Sequence, residues 1–349
     1  MKGQTIGIRE LARQLDMAIS TVSRAMNARS DVNPETRARV LEAARQLGYV
    51  PNQSGRNLRQ GATRTVALMM RTDIGRTVSG ETFFMGLSEG AQRVLAANGL
   101  DLVILPCGSE QDQDAFLYRA VDRRLADGFI ISATRRRDPR IEYLIERRVP
   151  FIALGRSESG GEHSWIDLDF EAVAMQSVSR LVCQGHKRIA LGTTTRDIYS
   201  NHLFADAYRA AVVRNGLDFD PDMIFSVSDS RSGGFELGEM LLARKARPSA
   251  VILVQETMAP GLYHRLGEVG LQPGLDMAVI GFRENPVCEF LTPALTCFRV
   301  NLPAYGERLA SLLCERMAGG ATSHELWPMT LVPGGSDGPA PKPKRSAPA

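Results

Sequence analysis

The chain has 349 residues, 44% of them hydrophobic, which allows a sizeable core and, at ~150 residues per domain, two or three domains. Charged residues at 23% exclude wholesale disorder. No apolar run approaches the ~18 uncharged residues of a membrane span, and Met1–Arg13 has no apolar segment of the kind that marks a secretory signal. The formal charge of +3 is unevenly spread: residues 1–60 carry +5, residues 333–349 carry +2, and the long stretch between them carries −4. A basic head on a mildly acidic body predicts that the head meets a polyanion.

In chain order, three helices come first. Ile8, Leu11, Ala12 and Leu15 form one apolar stripe. After a break at Asp16–Ala18, a second helix from Ile19 to Met26 turns Val22, Ala25 and Met26 inward and leaves Ser20, Thr21, Ser23, Arg24 and Asn27 outward. The third starts at Asn33 as N-cap and Pro34 as first helical residue, shows an apolar face of Val40, Leu41, Ala44 and Leu47, and stops at Gly48. Two helices across a three-residue turn, the second polar and basic, fit a helix-turn-helix that reads the major groove.

From Thr65 the chain alternates strands and amphipathic helices: TVALMM (65–70), DLVIL (101–105), GFIIS (128–132), PFIAL (150–154), RIAL (188–191), AVILV (250–254) and MAVIGF (277–282). This βαβ rhythm predicts doubly wound α/β sheets. No GxGxxG, GxxxxGK[ST] or HExxH motif and no Ser/His/Asp constellation is present, so no catalytic residue, metal site or cofactor is expected. His186, in GHKRIA, reads as a turn or packing histidine. The odd number of cysteines (Cys107, Cys183, Cys288, Cys297, Cys314) without zinc-site spacing predicts buried free thiols in a reducing compartment. The Pro/Gly/Ser/Ala-rich tail PGGSDGPAPKPKRSAPA, residues 333–349, reads as disordered.

STVSRAMN (20–27) followed by VNPETRARVLEAARQLGYVPN (32–52) resembles the DNA-binding head of the lactose/galactose-repressor (LacI-type) regulators. DGFII, PFIALGR, GHKRIAL, MAVIGF and TPALTCFRVNLPAYGERLASLLCERM align with that family in order, so the likeness spans about residues 5–330. It implies a helix-turn-helix head (1–50), a hinge helix (51–61), and a periplasmic-binding-protein-like bilobed core (62–332) that takes a small effector and dimerises. The lobes would be 62–160 with 291–332, and 161–290.

By this resemblance Ile19 and Ser20 choose operator bases and Thr21 and Arg24 flank them, and outward-facing Asn27 is read as a further DNA-binding residue. Arg56 belongs to the hinge, and Leu58 is the hinge residue that would wedge between base pairs. Gly55 stands where the family usually has Ala, which predicts a hinge harder to order without DNA. For the cleft, the resemblance and the rule that ligands sit beyond the carboxyl ends of parallel strands point to Phe83, Phe84, Thr134, Arg156, Arg196, Phe204, Glu256 and Arg283. Phe204 replaces the usual sugar-binding Arg, and Arg283 stands where an Asp is usual.

Two readings of the cleft follow. Arg283 receives an anionic effector, a sugar acid or sugar phosphate, or it pairs internally with Glu256 and the ligand is a neutral sugar. The expected protein is a cytoplasmic, homodimeric repressor of a carbohydrate-catabolic operon that binds a pseudo-palindromic operator. The alternative is an α/β solute receptor or enzyme body whose head serves another role.

Overall fold

The structure is a computed structural model that describes residues 6–26, 29, 31–49, 62–72 and 79–342, and the chain divides into two compact units, one ending at Thr63 and the other beginning at Arg64. The first unit is helical because its apolar residues repeat at helical spacing. Helix α1 (Ile8–Gln14) buries Leu11 and Ala12, and α2 (Ile19–Met26) buries Val22 and Ala25. Between them Asp16 takes a φ of 51°, a left-handed conformation that a short polar side chain tolerates. Helix α3 (Pro34–Gln46) begins where Asn33 Oδ1 accepts the Glu35 amide at 2.8 Å, and the chain leaves it through Gly48 at φ 63°. Val40 and Ala44 are buried here, but Leu41 is 47% exposed. With Val40 and Ala44 pointing inward, Leu41 lies about 100° round the helix and falls outside the core stripe.

The second unit builds two six-stranded sheets. The first lobe opens with β1 (Thr65–Thr72), α4 (Ser79–Ala97), β2 (Asp101–Gly108) and α5 (Gln113–Asp122), followed by β3 (Gly128–Ser132), α6 (Pro139–Glu146), β4 (Phe151–Leu154) and β5 (Trp165–Leu168). The chain then forms the second lobe from α7 (Phe170–Cys183), β6 (Ile189–Thr194), α8 (Tyr199–Arg214), β7 (Ile224–Val227) and α9 (Arg231–Ala243). That lobe continues through β8 (Ala250–Leu253), α10 (Ala259–Glu268), β9 (Ala278–Arg283), α11 (Pro286–Phe290) and β10 (Thr296–Arg299). It returns to the first lobe for α12 (Leu302–Met317) and β11 (His324–Trp327), and crosses once more to β12 (Thr330–Val332). Strand order is β11-β5-β4-β3-β1-β2 in one sheet and β12-β10-β9-β8-β6-β7 in the other. Every pairing is parallel except β10 with β12. All residues of β3, β4, β6 and β8 are buried, as expected of parallel strands covered on both faces.

Helix α12 docks on α4 through two glycines: a Cβ at Gly90 would lie 1.9 Å from the Pro303 carbonyl oxygen, and one at Gly306 would lie 1.9 Å from that of Leu87. The backbones approach so closely that no other residue fits.

The lobe boundaries differ from the expected 62–160 with 291–332 and 161–290. Sheet membership decides: β5 extends the first sheet beside β4, so the first crossover follows Leu168, while β10 and β12 pair within the second sheet. The expected disorder of 333–349 also fails over its first part. Ser336 and Asp337 are buried. Ser336 Oγ accepts the Thr296 amide at 2.8 Å and donates to the Val279 carbonyl at 2.6 Å; Asp337 accepts from Thr296 Oγ1 at 2.6 Å and pairs with Arg180. The glycines that suggested disorder instead permit close packing, since a Cβ at Gly338 would meet the Gly274 carbonyl oxygen at 2.0 Å. His186 holds the segment by bridging Ser249 Oγ at 2.8 Å and the Gly338 carbonyl at 3.0 Å. Residues 343–349 lie outside the described residues. All five cysteines are free, but Cys183 is exposed and Cys314 half-buried, so only Cys107, Cys288 and Cys297 are the buried thiols expected. No helix among the described residues is long and apolar enough to cross a membrane.

Candidate functional site

The head presents one polar helix. Because Val22 and Ala25 fix the inner face of α2, its opposite face is set: Ile19 is 46% exposed, Ser20 and Arg24 are exposed, and Thr21 is half-buried. Arg24 Nη1 donates to Asp31 Oδ2 at 3.0 Å, both side chains about half exposed, so the guanidinium is held near the helix by a solvent-screened partner. Asn27, Arg56 and Leu58, with the whole expected hinge 51–61, lie outside the described residues.

The second unit has a cavity between its lobes, at the carboxyl ends of the strands, of about 170 Å³. Of the cleft residues singled out in the sequence, Phe83, Phe84, Thr134, Arg156, Phe204 and Arg283 line it. Glu256 sits beneath it, fully buried, as the partner of Arg283. Arg196 does not reach it. That side chain turns to Asp229, 2.6 Å away, and faces a second, polar hollow of about 580 Å³ at the cleft mouth, with Arg71, Arg135 and Asp197.

Aromatic rings frame the inner cavity. Phe170 stacks on Phe282 with centroids 5.0 Å apart, Phe204 meets Phe282 edge-on at 5.9 Å, and Phe83 meets Phe84 edge-on at 5.3 Å. Tyr305 reaches the same space from α12. Between the rings stand Ser132, Ser200, Asn201 and Gln255, neutral hydrogen-bonding groups; of these the strand-end rule points only to Gln255, just beyond β8, and Ser132, Ser200 and Asn201 were not legible in the sequence.

Both cationic side chains of the cavity are answered by carboxylates. Arg156 Nε lies 3.0 Å from Asp167 Oδ2, and its two terminal nitrogens grip Glu171 at 2.6 and 2.7 Å. Burial works against that charge, but the bonds to Glu171 and Asp167 more than offset it and raise its pKa. Asp167 also lines the cavity; burial pushes its carboxyl up to about 6, against the opposing pull of Arg156. Arg283 Nη2 donates to Glu256 Oε1 at 2.8 Å, and its guanidinium carbon stands 4.4 Å from the centre of the Phe83 ring. The site can thus surround a compact ligand with ring faces and neutral donors and acceptors. Among the described residues no cluster of His, Cys, Asp and Glu is placed to hold a metal.

Residues 7–52 match the family model for bacterial regulatory proteins of the lacI family, and residues 178–336 match that for a periplasmic binding protein-like domain. The HTH-type transcriptional regulator AglR of Rhizobium meliloti (strain 1021) is 30% identical over 350 residues, covering 96% of this chain and 95% of that protein. A solved complex of the transcriptional regulator CelR with cellobiose superposes with a TM-score of 0.70 at 25% identity, covering 95% of this chain and 99% of that one. The lac repressor dimer bound to operator and the anti-inducer ONPF shares the fold, with a TM-score of 0.84 at 20% identity over 96% of this chain and 100% of that one. A helix-turn-helix head followed by a two-lobed receptor body, with this likeness over nearly its whole length, places the chain in the lacI family of bacterial regulatory proteins, DNA-binding regulators of transcription.

Proposed function

We propose that this regulator is a cytoplasmic homodimeric repressor whose grip on a pseudo-palindromic operator is set by a neutral sugar bound in the interlobe cleft. The observation that carries the choice of ligand is the Arg283–Glu256 bond at 2.8 Å with Glu256 fully buried. An anion would have to compete with an internal carboxylate for that guanidinium, and Arg156 is likewise committed to Asp167 and Glu171. Ring faces with interspersed hydroxyl and amide groups suit a sugar, whose C–H faces stack while its hydroxyls hydrogen-bond. The similar CelR structure is a complex with cellobiose, a neutral sugar.

Each lobe contributes wall residues, so ligand binding favours the closed cleft. The coupling to DNA equals the difference in effector affinity between free and operator-bound protein, typically ~1–3 kcal/mol. Calorimetric titration with neutral sugars, aldonic acids and sugar phosphates tests the reading, alongside gel shifts on the region upstream of the gene. Neutral sugars should bind and change the shift. Binding confined to acids or phosphates, and lost in Arg283→Ala, would overturn it.

A further inference from the structure

Arg140 is among the most deeply buried large side chains of the protein, 1% exposed, and its partner Asp138 is fully buried. Buried ion pairs are a poor source of stability, because desolvation of both charges cancels most of their attraction. This pair is built with many bonds. Arg140 Nε and Nη2 donate to the two oxygens of Asp138 at 2.9 and 2.6 Å, a fork-to-fork arrangement, and Nη1 reaches Gln113 Oε1 at 3.2 Å. Asp138 also caps α6 and accepts the Arg135 amide at 3.0 Å, and its own amide donates to Ser159 Oγ. Burial opposes its ionisation, but the bond and charge of Arg140 hold its carboxyl below the usual range.

What the fork grips decides its role. Arg140 Nη2 also donates to the carbonyls of Ser132 and Ala133, both at 3.2 Å, at the carboxyl end of β3. Ala133 there adopts a φ of 51°, a left-handed conformation that is strained for a residue with a Cβ. That strained turn aims Ser132, Ala133 and Thr134 into the inner cavity and Arg135 into the mouth. It also presents the Thr134 carbonyl to the other lobe, where the Tyr199 amide, at the start of α8, donates to it at 2.8 Å. Next to that bond Tyr199 Oη donates to Glu158 Oε1 at 2.6 Å, and Glu158 accepts from Arg136 Nε at 2.9 Å.

We propose that Arg140, locked by Asp138, is a positioning residue of the effector cleft: it fixes the 132–136 turn so that one wall of the cavity and the acceptor for lobe closure are set together. The proposal rests on the cleft being the effector site, but its test needs no effector.

The test is amide hydrogen exchange on the ligand-free full chain. Asp138→Asn/Arg140→Met removes both charges while keeping volume, which avoids an orphaned buried carboxylate, and Arg140→Lys keeps the charge but loses the fork. The Tyr199 amide should exchange at least ten-fold faster in the double variant and at an intermediate rate in Arg140→Lys. The β3 amides Phe129–Ile131 should keep their wild-type protection in both. A wild-type Tyr199 rate in the folded double variant would overturn the proposal. So would equal acceleration at Tyr199 and in β3, which would mark a merely structural pair. If the double variant does not fold, Arg140→Lys decides alone: acceleration confined to Tyr199 and 133–136 supports the assignment, and wild-type or global rates overturn it.

Discussion

Arg283, at the end of β9, donates to Glu256, in the turn after β8, and caps a carboxylate that has no exposure to solvent. The second oxygen of Glu256 is buried as well, with no hydrogen-bond partner among the described residues. The pair therefore cannot be dissected one side at a time. Arg283→Ala leaves a buried carboxylate without this cation and should cost about 3–5 kcal/mol. Arg283→Met/Glu256→Gln should recover most of that loss. Urea unfolding of the two variants checks the order, and a double variant no more stable than the single would show that the carboxylate is not the source of the cost.

Asp167 makes stability depend on pH. Its folded pKa of about 6 lies above the ordinary 3.8, so between those values the native state holds a proton that the unfolded chain has released. Stability should therefore fall as pH rises from about 4 to about 6 and level off above, by a total of about 3 kcal/mol. Urea midpoints measured across that range should lose this slope in Asp167→Asn, and a slope retained there belongs to another group.

In the head, the Arg24–Asp31 pair is half exposed and contributes at most about 1 kcal/mol to folding. Arg24→Ala should leave the thermal midpoint within a few degrees of wild type. It should weaken operator binding by about 1–3 kcal/mol, a loss of roughly 5- to 150-fold, if Arg24 reads a base. Fluorescence anisotropy at fixed salt separates the two effects, and equal loss on operator and random DNA would assign Arg24 to phosphate contact instead.

Asp337 ties the C-terminal segment to Arg180 and Thr296 inside the second lobe. Asp337→Ala should cost about 1–3 kcal/mol, because the buried Thr296 hydroxyl loses its acceptor and Arg180 its partner. Truncation after Pro333 removes Ser336 as well and should cost more. Differential scanning calorimetry of both proteins checks this ranking, and wild-type melting of the truncated chain would contradict it.

Strands β3, β4, β6, β8 and β9 were legible in the sequence because each contains three or more consecutive apolar residues. Strands β5, β7, β10, β11 and β12 have three or four residues and mix in Asp167, Ser226, Thr296, His324 and Glu325, so they are defined by their neighbours in the sheet rather than by their own pattern. The lobe boundary was misplaced for that reason. In the cleft, Phe83, Phe204 and Arg283 could be read because they align with family positions or depart from them visibly. Phe170, Phe282 and Tyr305 could not, since an aromatic residue on a helix or strand is first explained as core. Arg196 sits at the right place in the chain, but a strand end fixes the position of a residue and not the direction of its side chain, and Asp229 draws this one away.

The three passages of the chain between the lobes also set an order of assembly on the ribosome. The first lobe lacks α12 and β11 until residue 327 has been made, and the second lacks Ser336 and Asp337 until residue 337. The head is complete some 280 residues earlier, because its helices end at Gln46. At ~5–20 residues per second this interval lasts ~15–60 s. During it the nascent polypeptide carries a folded helix-turn-helix and no complete receptor.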